Sequence, residues 1–459
     1  MNGPVERIAD TLQAATATFV KEHRLPGAVA GIVHEGRLAW WGSIGFADVA
    51  ERTPAGPATM HRIASITKTV TATAVLQLRD AGALDLDDPL VRHIPELRAA
   101  RNAFAPWEHV TLRLVLSHQS GLMSEPPGAD WMNGQYEGDV LRSLARAAEI
   151  SASVPVSTQE KYSNLGYQLL GEVVARVSGL PFQAYARTRI LQPLGMRRTD
   201  FEPLPDPLRD DVATPYAGRW MSDELPVAPD SPMSSSEGGL WSCVDDLVRW
   251  LAFALETDDG PGHPEVLSLE TRREMHRPRY LADDTWTSAF GLGWYGVRQD
   301  GVTWVQHGGS LFGFRSTVCF DPRERVGAVV LLNGMGRPAT LAMSLGALAR
   351  TAVAEAAPVV TAPAPMPADY ADLLGIYADV LIGGELLRLE WRDGKLTVVD
   401  PAEDEFRPTL RPTGEPDTFV VEPGYRWSGE TVRFLRADDG RVRAASLPGQ
   451  VLPRFDARD

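Results

Sequence analysis

Ser65 and Lys68 stand three residues apart in Ser65-Ile66-Thr67-Lys68, and at the start of a helix that spacing puts both side chains on one face. A serine hydroxyl is not ionised at neutral pH and attacks a carbonyl only with a base beside it. A lysine can be that base when burial or nearby positive charge lowers its pKa. Further along, Tyr162-Ser163-Asn164 adds a phenol and an amide, and His307-Gly308-Gly309 adds an imidazole followed by two residues without side chains. A phenol titrates near about 10 and becomes a base only where a cation stabilises its phenolate, a charge that Lys68 would supply. Nucleophile, base candidates and amide together point to a serine hydrolase with Ser65 as nucleophile. The residue types leave open whether Lys68 or Tyr162 takes the serine proton.

Elements must hold these groups together. The run after Ser65 carries Val70, Ala74, Leu78 and Ala81 before Gly82, which reads as a buried helix with a glycine stop. Leu165, Leu169, Val173 and Val177 recur every fourth residue, so Tyr162 and Asn164 are expected just before a second helix. A helix is expected over residues 5–23, then two short strands, Ala28 to Val33 and Leu38 to Ile44, joined by a turn at Glu35-Gly36. Strand patterns return at Thr303 to Gln306, Arg315 to Phe320 and Val326 to Leu332, followed by an alanine-rich helix to Ala356. Strands from both ends with a helical middle imply an α+β fold, an antiparallel sheet flanked by helices and carrying a helical subdomain. The expected organisation is a hydrolase domain over 1–357, with a helical insertion at roughly 85–300, a linker over 358–370 and a small β-barrel over 371–459. The barrel rests on short β-type runs between Gly, Pro and Asp turns, Leu386 to Trp391 and Thr431 to Leu435 among them.

Composition excludes several function classes. A formal net charge of −15 argues against a general nucleic-acid or anionic-membrane binder. No run of about 18 apolar residues occurs, so no transmembrane helix is expected. Glu6, Asp10 and Glu22 interrupt the first residues, which show no secretory pattern, and the chain reads as cytoplasmic. Cys243 and Cys319 are too few and too far apart for a disulfide framework, and no histidine cluster has metal spacing. No metal and no other cofactor is expected. The expected partner is a small ester, amide or short peptide; the sequence does not give an oligomeric state.

The ordered motifs resemble the serine β-lactamase-like family that includes class C β-lactamases, D-peptidases, penicillin-binding proteins and related esterases, over roughly residues 7–355. Thr111 to Leu122, with Ser117-His118-Gln119-Ser120-Gly121, and Glu237 to Ser242 are similar to other segments of that family. The resemblance implies acylation at Ser65, proton shuttling by Lys68 and Tyr162, and substrate-amide binding by Asn164. It also implies an oxyanion hole from the backbone N–H groups of Ser65 and Ser310, one such donor being worth about 3 kcal/mol. His307, Gly308 and Gly309 take the place of the family's Lys-Thr-Gly strand, with His307 counted among the catalytic residues and the glycines in substrate binding. Lysine and threonine there help to bind a substrate carboxylate, so the change favours esters, amides or capped peptides. The C-terminal barrel would be lipocalin-like and, with no histidine, cysteine or Ser-x-x-Lys in Leu373 to Asp459, noncatalytic; Tyr425 and Trp427 are candidates for packing, the preferred reading, or for lining the cleft.

The leading reading is a carboxylesterase. A D-stereospecific peptidase, amidase or peptide cyclase follows, then a β-lactamase or D-Ala-D-Ala carboxypeptidase. His61 and His118 read as structural histidines; Arg315 reads as an ordinary strand-surface arginine, with replacement of the family lysine's charge as the alternative. Trp131, Tyr136, Trp220, Trp241, Trp286 and Trp294 are aromatic candidates for the middle section, none assigned to a site.

Overall fold

The structure is a computed structural model that describes residues 3–129, 140–216, 236–257, 262–356, 365–378, 386–399, 408–422, 428–448 and 450–455. Trp131, Tyr136, Trp220, Tyr425 and Trp427 lie outside the described residues. The chain divides into two compact units, Met1–Ala356 and Ala357–Asp459.

The first unit is built on a nine-stranded sheet in which every neighbouring pair is antiparallel. Its order is Thr53–Pro54, Arg37–Asp48, Gly27–His34, Val326–Leu332, Phe314–Asp321, Val302–Leu311, Tyr295–Gln299, Ser288–Phe290 and Tyr280–Leu281. Both ends of the unit thus meet at its centre, where Ala28 pairs with Leu332 and Val33 with Gly327. Gly27–His34 and Val326–Leu332 are buried along their whole length, which explains why each reads as a continuous apolar run. Glu35 and Gly36 both take positive φ, 52° and 70°, matching the turn that joins two right-twisted strands in a hairpin.

One face of the sheet is covered by helices Ala9–His23 and Pro338–Ala356, through Leu12, Phe19, Leu341 and Leu345 against Ala30, Ile32 and Trp304. The other packs against the helical section, where Val70, Val75, Leu169 and Val173 form one core with Val305, Val318, Phe320 and Val329. The middle section is not helical to its expected end near 300. Residues 280–299 supply three strands that extend the main sheet. They are only two to five residues long, and each gains its ladder from the strand beside it, so local pattern does not announce them.

The second unit is a closed antiparallel barrel of eight strands between Gly375 and Phe455. Tyr377, Leu396, Phe419, Phe434 and Leu452 fill its interior. Among the described residues no helix is long and apolar enough to cross a membrane, and both cysteines are buried and unbridged.

Candidate active site

Ser65 lies in a single 3-10 turn, Ala64–Ile66, that runs directly into helix Thr67–Asp80. Lys68 is on the first turn of that helix, so the three-residue spacing brings its Nζ to 3.1 Å from Ser65 Oγ. Lys68 is fully buried, yet its ammonium is not orphaned. It also donates to Asn164 Oδ1 at 2.7 Å and to the Glu237 carbonyl at 2.7 Å, so three acceptors meet its three N–H groups. The Tyr162 ring centroid is 5.0 Å from Nζ and that of Tyr167 5.7 Å.

The turn is held in a conformation that costs free energy elsewhere. Ala64 takes φ +46°, a left-handed value uncommon for any residue but glycine. Ile63, just before it, is clamped on both sides: its N–H donates to the Leu240 carbonyl at 3.0 Å and its own carbonyl accepts from Ser316 Oγ at 2.9 Å. Strand Val302–Leu311 passes so close that a Cβ on Gly309 would be driven into the Ile63 carbonyl oxygen, whereas one on Gly308 would meet nothing nearer than 3.4 Å. Gly309 is therefore demanded by the protein's own backbone. Gly308 leaves exposed space at the strand.

Tyr162 and Asn164 flank Ser163, whose hydroxyl accepts from Gly166 N–H at 2.9 Å and caps helix Asn164–Ser178. Asn164 is thus the first residue of that helix, where the sequence placed it just outside. The Asn164 Oδ1 is engaged by Lys68, and Nδ2 donates to Glu125 Oε1 at 2.8 Å, using one of its two N–H donors. His118 is buried beneath Tyr162, ring centroids 4.3 Å apart, and its Nδ1 accepts from Ser163 N–H at 3.2 Å. Burial, then the Lys68 charge, drives its pKa well down, so the ring is neutral.

Ser65, Tyr162, Asn164, His307, Gly308, Gly309 and Ser310 are in the lining of one cleft of about 630 Å³, which gathers every expected site residue except the buried Lys68. The His307 imidazole is far from an ordinary titrating histidine. Its ring is fully buried against Tyr295, centroids 5.2 Å apart, and donates from Nδ1 to the Gly308 carbonyl at 2.8 Å. Burial and then Lys68 lower its pKa to about 3, so at neutral pH it is an uncharged ring with Nε2 as acceptor. Burial likewise raises the phenols of Tyr167 and Tyr295, which keeps both protonated. Arg315 is also placed differently from its reading as a plain surface residue: it is half-buried and lines the cleft, with Arg337 at the other wall.

No sequence signal marks the Glu237 carbonyl on Lys68, Tyr295, or Arg337 to Thr340 around the start of the last helix. The Glu237-Gly238-Gly239 segment stood out, but a backbone acceptor has no residue signature. Among the described residues no group of three or more His, Cys, Asp or Glu could hold a metal ion.

A family model described as Beta-lactamase matches residues 12–352. The chain belongs to that family. Among curated relatives it is similar to Protein flp of Staphylococcus aureus (strain N315), 26% identical over 324 residues, 68% of this chain and 61% of that protein. It is also 30% identical over 279 residues to Beta-lactamase-like protein 2 of Dictyostelium discoideum, covering 58% of this chain and 48% of the relative. The aligned part therefore spans between about half and three-fifths of these relatives. Among solved structures, the octameric penicillin-binding protein homologue from Pyrococcus abyssi shares the fold at TM-score 0.63 and 24% identity, over 96% of this chain and 99% of that one. SurE is similar at TM-score 0.58 and 26% identity, over 97% of this chain and 99% of its own. This Beta-lactamase family member thus has the serine of its Ser-x-x-Lys motif in the lining of a cleft and the lysine buried beside it, with the barrel as a separate unit.

Proposed function

We propose that this chain is a carboxylic-ester hydrolase that works through an acyl-enzyme on Ser65. The observation that carries the reading is the 3.1 Å contact between Ser65 Oγ and a fully buried Lys68, inside a cleft that Tyr162, Asn164 and Gly308 also line. Ser65 attacks the ester carbonyl; its proton passes to the Lys68–Tyr162 pair and on to the leaving alcohol. The N–H groups of Ser65 and Ser310 take the oxyanion, and water then releases the acyl group. Lys68 beside the Tyr162 ring supplies the positive charge that a phenolate needs. Asn164 holds Lys68 through Oδ1 and offers its second N–H to the acyl group. A neutral His307 supports an uncharged acyl group better than a free acid, because no cation stands where the family has lysine.

A second reading, a peptidase or amidase for D-residues, is favoured by two observations. Arg315 and Arg337 line the cleft with no ion pair to any described residue and could receive a peptide carboxylate. SurE has been solved with D-Leu, and that structure is similar to this chain at TM-score 0.57 and 25% identity. A panel of p-nitrophenyl esters, D- and L-amino-acid amides and a chromogenic cephalosporin separates the readings. Ester turnover should dominate; dominant D-amide turnover with negligible ester turnover would replace the first reading by the second.

A further inference from the structure

A second concavity, of about 870 Å³, opens between helix Leu269–His276 and strands Ser288–Phe290, Tyr295–Gln299 and Val302–Leu311. It adjoins the cleft without sharing its lining: Gly296 and Val305, a register pair, wall the concavity, while the next pair, Tyr295 and Gln306, faces the cleft. Its size suits a small-molecule ligand.

Its charge runs against that of the whole chain. The formal net charge is −15, yet five arginines line this concavity against one carboxylate, Asp321, which Arg350 Nε already holds at 2.8 Å. The side chains of Arg277, Arg298 and Arg323 make no hydrogen bond or ion pair with any described residue. Three guanidinium groups gathered in this way repel one another and present a fork geometry that matches phosphoryl oxygens.

The rim carries an exposed aromatic ring on a loop whose backbone is tied down. Trp286 is 61% exposed, with Leu281 beside the same concavity at 46%. Trp286 takes φ +60°, in a loop that closes around the Asp283 carboxylate. That carboxylate accepts from the N–H and the hydroxyl of each of Thr285, Thr287 and Ser288, at 2.6–3.0 Å. A solvent-exposed indole on such a loop, lining the same concavity as the unneutralised arginines, can stack on a flat ligand.

We propose that this concavity is a second, noncatalytic binding site for a small phosphorylated aromatic molecule of the nucleotide type. Arg277, Arg298 and Arg323 take the phosphoryl oxygens and the Trp286 indole covers the aromatic ring. The site is independent of the chemistry assigned to Ser65. Calorimetric titration of the full chain with ATP, adenosine and tripolyphosphate tests it, on the parent protein, on Ser65→Ala, on Arg298→Ala/Arg323→Ala and on Trp286→Ala, each checked by thermal melt. ATP should bind one site per chain, equally in Ser65→Ala, and its affinity should fall as salt rises. The double arginine variant should weaken ATP by about tenfold or more, the scale of lost charge-assisted contacts, without altering ester turnover. Trp286→Ala should weaken ATP but spare tripolyphosphate. Undetectable ATP binding, ATP affinity unchanged in the double variant, or tripolyphosphate binding as tightly as ATP would overturn the proposal.

Discussion

Gly309→Ala should disable the site while Gly308→Ala, one residue away, leaves the fold intact. The added methyl on Gly309 would stand 2.9 Å from the Ile63 carbonyl carbon, 2.5 Å from Ser316 Oγ and closer still to the Ile63 oxygen. Carbon atoms settle at about 3.5 Å or more, so the strand and the turn must part by roughly 0.6 Å at the carbon and by about 1 Å at the oxygen. Neither partner can swing away, because the nearest atoms are backbone and Ser316 Oγ is bonded to that same carbonyl. Overpacking of this kind costs about 1–3 kcal/mol of stability. The same separation moves Ser65 away from Ser310, and a displacement near 1 Å is enough to lower kcat by about 100-fold. The assay pairs p-nitrophenyl ester kinetics with phosphonate labelling of Ser65 and a denaturant melt. Gly308→Ala should melt like the parent, its new Cβ at 3.4 Å from the nearest atom, and change KM more than stability. Parent-like kcat and stability in Gly309→Ala would refute the idea that backbone contact between strand and turn sets the catalytic geometry.

Lys68→Ala and Tyr162→Phe should each lower kcat strongly, and the double variant should cost little more than either, because the pair acts as a unit; near-parent turnover in one single variant excludes that residue as a proton carrier. His61 and His307 are buried and His276 is half-buried, with pKa values lowered to about 4, 3 and 3 for His61, His276 and His307, so the unfolded chain binds their protons first as pH falls below 6.5. Stability should therefore be level above that pH and decline below it by up to about 1.4 kcal/mol per pH unit for each ring, a slope that urea titrations measure and that His307→Gln should lessen. The same low pKa means that the pH–rate profile should carry no inflection near 6.5 from His307; an inflection there that vanishes in His307→Gln would contradict its burial. A chain ending at Ala356 retains every described residue that lines the cleft and should still be labelled at Ser65; a soluble, folded truncation that resists labelling would show that the barrel unit helps to build the site.

The chemistry was legible in the sequence where it depends on local spacing. Ser65 and Lys68 face each other because a helix turn relates them, and the strand patterns around Val29 and Val329 disclosed a sheet built from both ends. What stayed hidden depends on burial or on backbone atoms. Nothing in His307-Gly308-Gly309 tells that the imidazole is sealed against Tyr295 and uncharged. Glu237 reaches Lys68 through its carbonyl, which every residue possesses. Arg315 reads as a surface residue because a strand alternates its faces, and only the fold decides that its side chain meets the cleft. In the barrel, the strands Thr409–Pro412 and Gln450–Phe455 each contain a proline, which weakens the strand signal, and neither was anticipated.

The central claim is that Ser65 carries the acyl group, and intact-mass spectrometry of the full chain during turnover of a slow p-nitrophenyl ester tests it most directly. The account predicts one added acyl group per chain, mapped by peptide digestion to the segment holding Ser65, absent in Ser65→Ala and decaying at the rate of steady-state turnover. An adduct mapped to another residue, or ester turnover that persists in folded Ser65→Ala, would contradict it.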